Sequence, residues 1–247
     1  MAAGDNHNTP VFLAGEWRYL AMLNYRIDPS VLLPHVPKGT ELDTWNGETL
    51  VSVVGFRFLR TRVLGLPVPF HRHFPEVNLR FYVRYEAGHE VRRGVTFVRE
   101  IVPRPAIAAT ARLLYNEPYV ALPMQAVAPN RPGQVPGRIA YAWRSRTGWN
   151  HMAVRPSGAA QPLREGSEEQ FITEHYWGYT AQRDGGTTEY QVAHPRWRVW
   201  QGAEPEFECD VAGLYGPEFV EALSARPTSA FLADGSEIAV YTPRRIA

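Results

Sequence analysis

The chain has 247 residues, 45% hydrophobic and 12% aromatic, enough apolar material for one packed core. A formal net charge of +1 with 21% charged residues argues against a nucleic-acid binder, which would carry a basic face; Arg92-Arg93 and Arg244-Arg245 are short, isolated pairs. No stretch approaches the roughly 20 apolar residues that span a bilayer, the first ten residues lack the regions of a secretory signal, and one cysteine, Cys209, forms no internal disulfide, so the expectation is a cytoplasmic protein with no membrane partner.

In chain order, residues 1–10 read as a flexible N-terminus and 11–247 as a single domain. A strand is expected over 17–27, then a short helix opened by Asp28-Pro29 and running to Val36, then a strand over 49–59. Residues 77–85 alternate strictly, with Val77, Leu79, Phe81, Val83 and Tyr85 on one face, as a half-buried strand requires. A strand over 94–102 precedes a buried helix over 105–115 that starts on Pro105 and is rich in Ala and Leu. Residues 128–137 and 156–166 are rich in Pro, Gly or polar residues and read as flexible; between them, Ile139, Tyr141 and Trp143 alternate in a strand over 138–144. Ser167 and Gln170 form a capping-box pattern ahead of a helix over 168–176. Strands follow at 187–193 and 196–201, Gly216-Pro217 opens a helix ending near Ala225, and 229–241 reads as a hairpin turning at Asp234-Gly235. Many strands with a few short helices predict an α+β, mainly β chain built on a large curved antiparallel or mixed sheet, barrel-like in outline.

The densest polar cluster is His71-Arg72-His73 with Glu76, Asn78 and Arg80. Extended chain would put His71 and His73 on one face, and Glu76 would complete a metal set, but Pro69 and Pro75 make the segment loop-like, so no metal is expected. Glu76, Asn78 and Arg80 share the face opposite Leu79 and Phe81; that face either meets solvent or walls a pocket in which Arg80 grips a carboxylate. Glu76 serves as an acid or base only if burial raises its pKa. Arg18, Glu100 and Arg112 are expected to pair structurally, and all three remain candidate ligand contacts. His175 and Trp177 are further candidates; Glu174 and His175, adjacent on a helix, point apart and make a poor dyad. Trp177, Trp197 and Trp200 either roof a pocket or pack in a core. No Gly-x-Ser-x-Gly elbow, Walker A loop or dinucleotide fingerprint occurs, so no cofactor is expected.

Several long segments resemble a known family. Residues 16–43, 54–83, 97–124, 171–180, 194–200 and 229–241 are similar, in order, to the uncharacterised bacterial YqjF-like proteins, which are grouped with the acetoacetate decarboxylase-like superfamily. The resemblance implies that fold. It sets Arg18 at the decarboxylase arginine that meets the substrate carboxylate, and Pro105-Ala106-Ile107-Ala108 at the helix leading to the catalytic lysine pair, which follows a Tyr-Pro. Here that segment is Leu114-Tyr115-Asn116-Glu117-Pro118-Tyr119, without lysine. Lys38 is the only lysine among the 26 Lys and Arg residues, and Val36-Pro37-Lys38-Gly39 reads as an exposed turn. Arginine stays protonated and forms no imine, so the resemblance brings the fold and a pocket for a small carboxylate or carbonyl ligand, without Schiff-base decarboxylation. The alternative is a lysine-independent lyase, hydratase or isomerase, with Arg18 or Arg80 anchoring the acid, Glu76 moving protons and Tyr115 or His73 polarising a carbonyl; Asn116 is a further contact. A third reading is a structural protein without ligand. The family analogy implies a homo-oligomer of unfixed size.

Overall fold

Period-2 alternation runs through most of the chain, and the computed structural model, which describes residues 9–129 and 137–247, turns it into long strands. The elements are β1 (Val11–Arg26), α1 (Pro29–Leu32), β2 (Glu41–Leu42), β3 (Leu50–Val63), β4 (Leu66–Pro67), β5 (Phe74–Ala87), β6 (Glu90–Val102) and α2 (Pro105–Leu114). There follow β7 (Tyr119–Ala121), β8 (Met124–Val127), β9 (Ile139–Arg144), β10 (Trp149–Pro162), α3 (Glu168–Thr173), β11 (Trp177–Ala181) and β12 (Thr187–Ala193). The chain ends through β13 (Arg198–Glu208), α4 (Val211–Leu214), α5 (Val220–Ser224), β14 (Ser229–Tyr241) and β15 (Arg244–Arg245). No helix among the described residues is long and apolar enough to cross a membrane.

All fifteen strands of the described residues join one mixed sheet. Seven of them make a ring, β12–β11–β6–β5–β3–β1–β14, which closes where Val192 and Ala193 of β12 pair with Val240 and Ala239 of β14. Beyond β14 the sheet continues through β13, β10, β9 and β8 as a wing that folds over the outside of the ring. Strands β1, β3 and β5 are therefore buried on both faces. Outward, Val77, Leu79, Phe81 and Val83 of β5 pack in one cluster with Ile139, Tyr141 and Trp143 of the wing. Inward, Leu20, Met22, Val54, Phe56 and Phe58 form a second cluster inside the ring.

Bulges decide which residues face in. Tyr19 (φ 56°) and Arg60 (φ 54°) adopt the left-handed conformation, next to register shifts between β1 and β3. On β1 the shift changes the inward phase from Trp17 to Leu20. On β6, Val98 is skipped between the pairs Leu79–Arg99 and Arg80–Phe97, so Phe97 and Glu100, three residues apart, both reach the interior.

Four expectations need correction. Residues 229–241 form one continuous strand rather than a hairpin: Gly235 (φ +74°) stays in register opposite Arg18 of β1, where a Cβ would collide with the Trp17 carbonyl oxygen. The expected flexible segment 156–166 instead supplies the second half of β10, paired with β13 from Pro156 to Pro162. The helix expected to end at 176 stops at Thr173, because Trp177 already pairs with Gly94 in β11; its start is capped as expected, Ser167 Oγ accepting from the Gln170 amide at 3.2 Å. The strand expected over 196–201 runs from Arg198 to Glu208. Residues 1–8 and 130–136, within the segments 1–10 and 128–137 expected to be flexible, lie outside the described residues.

Candidate functional site

The ring does not fill its own interior. A cavity of about 410 Å³, in the range of small-molecule sites, is walled by Trp17 and Leu20 of β1, Val54, Phe56 and Phe58 of β3, Phe74, Glu76, Asn78 and Arg80 of β5, and Phe97 and Glu100 of β6. Ala106 and Thr110, both exposed on α2, share the lining and mark where it opens. Most of the surface is apolar, and rings meet edge-on: Trp17 lies 5.6 Å from Phe56 and 6.0 Å from Phe58.

Three carboxyl groups gather in this lining. Glu76 comes from β5, Glu100 from the neighbouring β6, and Glu117 from the turn between α2 and β7; they are 2%, 3% and 8% exposed. Register brings the first two together, because Asn78 of β5 sits opposite Glu100. Glu117 is carried in by the backbone, the Glu100 amide donating to the Pro118 carbonyl at 3.2 Å. Asn78 Nδ2 and the Tyr119 hydroxyl donate to the two oxygens of Glu76, each at 3.2 Å, and Thr180 Oγ1 donates to Glu117 at 2.5 Å. Tyr190 also donates to Glu117, and its ring lies across Gly178, where any Cβ would strike it.

No ion pair of the described residues involves Glu76, Glu100 or Glu117. Buried and without a cation, they cannot all ionise. Burial pushes Glu76 and Glu117 up to about 7, and Glu100, with burial foremost and both other carboxyls adding to it, lies well above its ordinary value. At least one carboxyl of the coupled pair Glu100 and Glu117 therefore keeps its proton. Burial and the same carboxyls also raise Tyr119 and Tyr190, which remain neutral donors.

Farther along the same face of β5 stands Arg80. One guanidinium nitrogen donates to the Ile172 carbonyl at 3.2 Å and the group lies 5.8 Å from the Tyr82 ring. It has no carboxylate partner among the described residues, and its Nε is buried and unbonded. Asn78 Oδ1, Glu100 Oε2 and Trp17 Nε1 are likewise buried without a partner. His194 stacks on Trp197 at 4.1 Å and, through burial with some help from Arg80, is pushed down to about 4, so it is neutral.

Of the residues singled out in the sequence, the cavity gathers Glu76, Asn78, Arg80, Glu100, Tyr115, His175 and Trp177, and also His71. The face of β5 whose direction the sequence left open points inward. Four candidates fall elsewhere. Arg18, adjacent to the bulge at Tyr19, turns away and pairs with Glu16 at 2.7 Å instead of joining Glu100 or Arg112. Arg112 is exposed on α2 and donates to its own helix at the Ala108 carbonyl. Asn116 (φ 56°) spends its amide on the Ala181 carbonyl at 2.7 Å. His73 is exposed and accepts from the Arg60 amide, so the set His71, His73 and Glu76 does not converge; among the described residues no group of three His, Cys, Asp or Glu side chains suits a metal ion. His175 is pinned from behind by Asp43 at 2.9 Å, which also takes Arg93 at 2.6 Å. Trp177 and Trp197 line the cavity, whereas Trp200 belongs to the outer cluster. Unforeseen were Glu117, Tyr119, Thr180, Tyr190 and His194. The alternation Thr188, Tyr190, Val192 along β12 was the one available signal; Glu117 lies in a turn, where no periodicity announces an inward side chain.

The family DUF2071, described as an uncharacterized conserved protein, matches residues 14–237. The chain is 29% identical over 207 residues to the uncharacterized protein YqjF of Bacillus subtilis (strain 168), an alignment covering 82% of each chain. Among solved structures it is similar to acetoacetate decarboxylase from Legionella pneumophila (TM-score 0.66, 13% identity, 96% of this chain and 87% of the other). It is also similar to the enduracididine biosynthesis enzyme MppR complexed with pyruvate (TM-score 0.67, 13% identity, 99% and 93% covered). A third is an acetoacetate decarboxylase-like enzyme from Sphingomonas wittichii RW1 (TM-score 0.64, 14% identity, 96% and 93% covered). At these identities the likeness is one of fold: the chain has the acetoacetate decarboxylase-like fold.

Proposed function

The chain belongs to the DUF2071 family of uncharacterized conserved proteins, and from that premise we propose that its ring cavity binds a small carboxylate or carbonyl compound without forming an imine. Arg80 carries this reading: a cation in an apolar cavity, with a buried Nε left unbonded and no carboxylate of the described residues paired with it, is complementary to an incoming carboxylate. The pyruvate bound by MppR, a protein of the same fold, is a ligand of that chemistry. Lys38, the one lysine, is exposed and is absent from the cavity lining, which supports the exclusion of imine chemistry. With a single cysteine and no need of an oxidising compartment, the reading takes the cytoplasm as the site of action.

Titration calorimetry with pyruvate, acetoacetate and longer oxo and fatty acids tests it. At least one acid should bind, and Arg80→Gln should weaken that acid by about 10- to 100-fold, the worth of a charged hydrogen bond. Flat titrations across the series overturn the reading. Borohydride trapping with acetoacetate should leave the mass of the protein unchanged; an adduct on Lys38 overturns the absence of imine chemistry.

A second reading, proton transfer by a lysine-independent lyase, hydratase or isomerase, draws on Glu76, poised at about 7 against the Tyr119 hydroxyl. Deuterium exchange into the carbon next to the carbonyl of a bound oxo acid, followed by NMR and lost in Glu76→Gln, is its expected signature.

A further inference from the structure

Among the described residues, every buried carboxylate outside the cavity has a basic side chain beside it, and the cavity departs from this. Glu189, fully buried on the other face of β12, is held by Arg92 at 2.7 Å and by Arg244 at 2.5 Å. Glu16, equally buried, is held by Arg18 at 2.7 Å and by Arg60. Asp43, buried as well, is held by Arg93 at 2.6 Å and by His175 at 2.9 Å, and a carboxylate taken out of water needs such a partner. Among the described residues Glu76, Glu100 and Glu117 receive none, although Arg80 stands four residues from Glu76 on the same strand face.

We propose that the ligand has two charged poles, a carboxylate held by Arg80 and a cationic nitrogen, as in a primary amine, held by Glu76, Glu100 and Glu117. The proposal rests on the preceding reading and names the class of its ligand.

Asn78 supplies the independent sign of a donor at this end. It is 2% exposed, stands in the cavity wall between the two poles, and spends Nδ2 on Glu76 while its Oδ1 stays buried and unbonded. An orphan amide oxygen beside an orphan Glu100 Oε2 asks for an N–H donor. Tyr119, Tyr190 and Thr180, which face the cluster from β7, β12 and β11, already donate into it and have no positive charge to give. Among the described residues no three His, Cys, Asp or Glu side chains are grouped as a metal site, and the orphan acceptors match the N–H donors of an organic cation. Without that ligand, protons do the compensating, and an arriving ammonium takes their place.

Span sets the shape of the ligand. Glu76 and Arg80 are four strand residues apart, about 13 Å of backbone at roughly 3.3 Å per residue, and Val54 sits directly across from Asn78 between them. An α-amino acid, with its charges one carbon apart, is too short. An ω-amino acid with an apolar chain fits.

The test compares hexanoate, hexylamine and 6-aminohexanoate by titration calorimetry at pH 7, in two buffers of different ionisation heat. The amino acid should bind at least tenfold tighter than hexanoate and release a proton to the buffer, and the ratio of the two affinities should fall to near one in Glu117→Gln. Equal affinities for hexanoate and 6-aminohexanoate, or binding without proton release, overturn the proposal while leaving the Arg80 reading intact. Proton release is read on the unaltered protein, so a poorly folding variant does not remove the test. Failure of all three probes to bind, together with flat titrations of the oxo acids, overturns both.

Discussion

The two faces of β5 carry residues of opposite kinds and do opposite things. Val77, Leu79, Phe81 and Val83 close against the wing with no exposure, and no polar group among them needs a partner. Glu76, Asn78 and Arg80, one step out of phase with them, border open volume, and two of their buried atoms, Asn78 Oδ1 and Arg80 Nε, lack hydrogen bonds. The outer face therefore contributes stability and the inner one gives some of it up, the trade expected where a strand serves both a core and a ligand.

Substitutions on the two faces should separate accordingly. Phe81→Ala empties a fully buried position of the outer core and should lower unfolding free energy by about 3–5 kcal/mol, read from the denaturant midpoint; a loss under about 1 kcal/mol would break the comparison. Glu76→Gln should act through pH. Because the folded carboxyl holds its proton up to about 7 rather than 4.5, the native protein loses stability as pH rises from the lower value through the higher one, on the order of 3 kcal/mol in all. The glutamine does not titrate, so its stability relative to the native protein should climb between pH 5 and pH 8; parallel curves would mean that Glu76 is not charged at a cost. Ser167→Ala, which removes the cap of α3, should cost about 1 kcal/mol. It should also loosen acid binding, since α3 carries the Ile172 carbonyl that steadies Arg80. Lys38→Met should change stability by no more than about 0.5 kcal/mol, as expected of an exposed side chain away from both faces.

The alternation from Val77 to Tyr85 was legible because strand period and burial coincide there, and the same phase gave Glu76, Asn78 and Arg80 as a set. Their inward direction was not, since a polar strand face reads alike toward water and toward a cavity. Phase also failed at the bulges. Arg18 is two residues from Leu20, yet the left-handed turn at Tyr19 sends the two to opposite sides of β1. The second half of β10 was hidden by its Pro, Gly and Ser content, which β13 overrides by pairing. Glu117 became visible only once the Glu100 amide was seen to fix the turn at Pro118.

Placing Glu76 and Arg80 on one uninterrupted strand makes β5 a ruler. Loops at the mouth of the ring can lengthen, shorten or change sequence and so alter what enters. The distance between these two marks is written in the pitch of a strand paired on both edges, by β3 and by β6. Within a family sharing this strand, ligand length should therefore vary less than ligand shape, and only an insertion or bulge between residues 76 and 80 would recalibrate it.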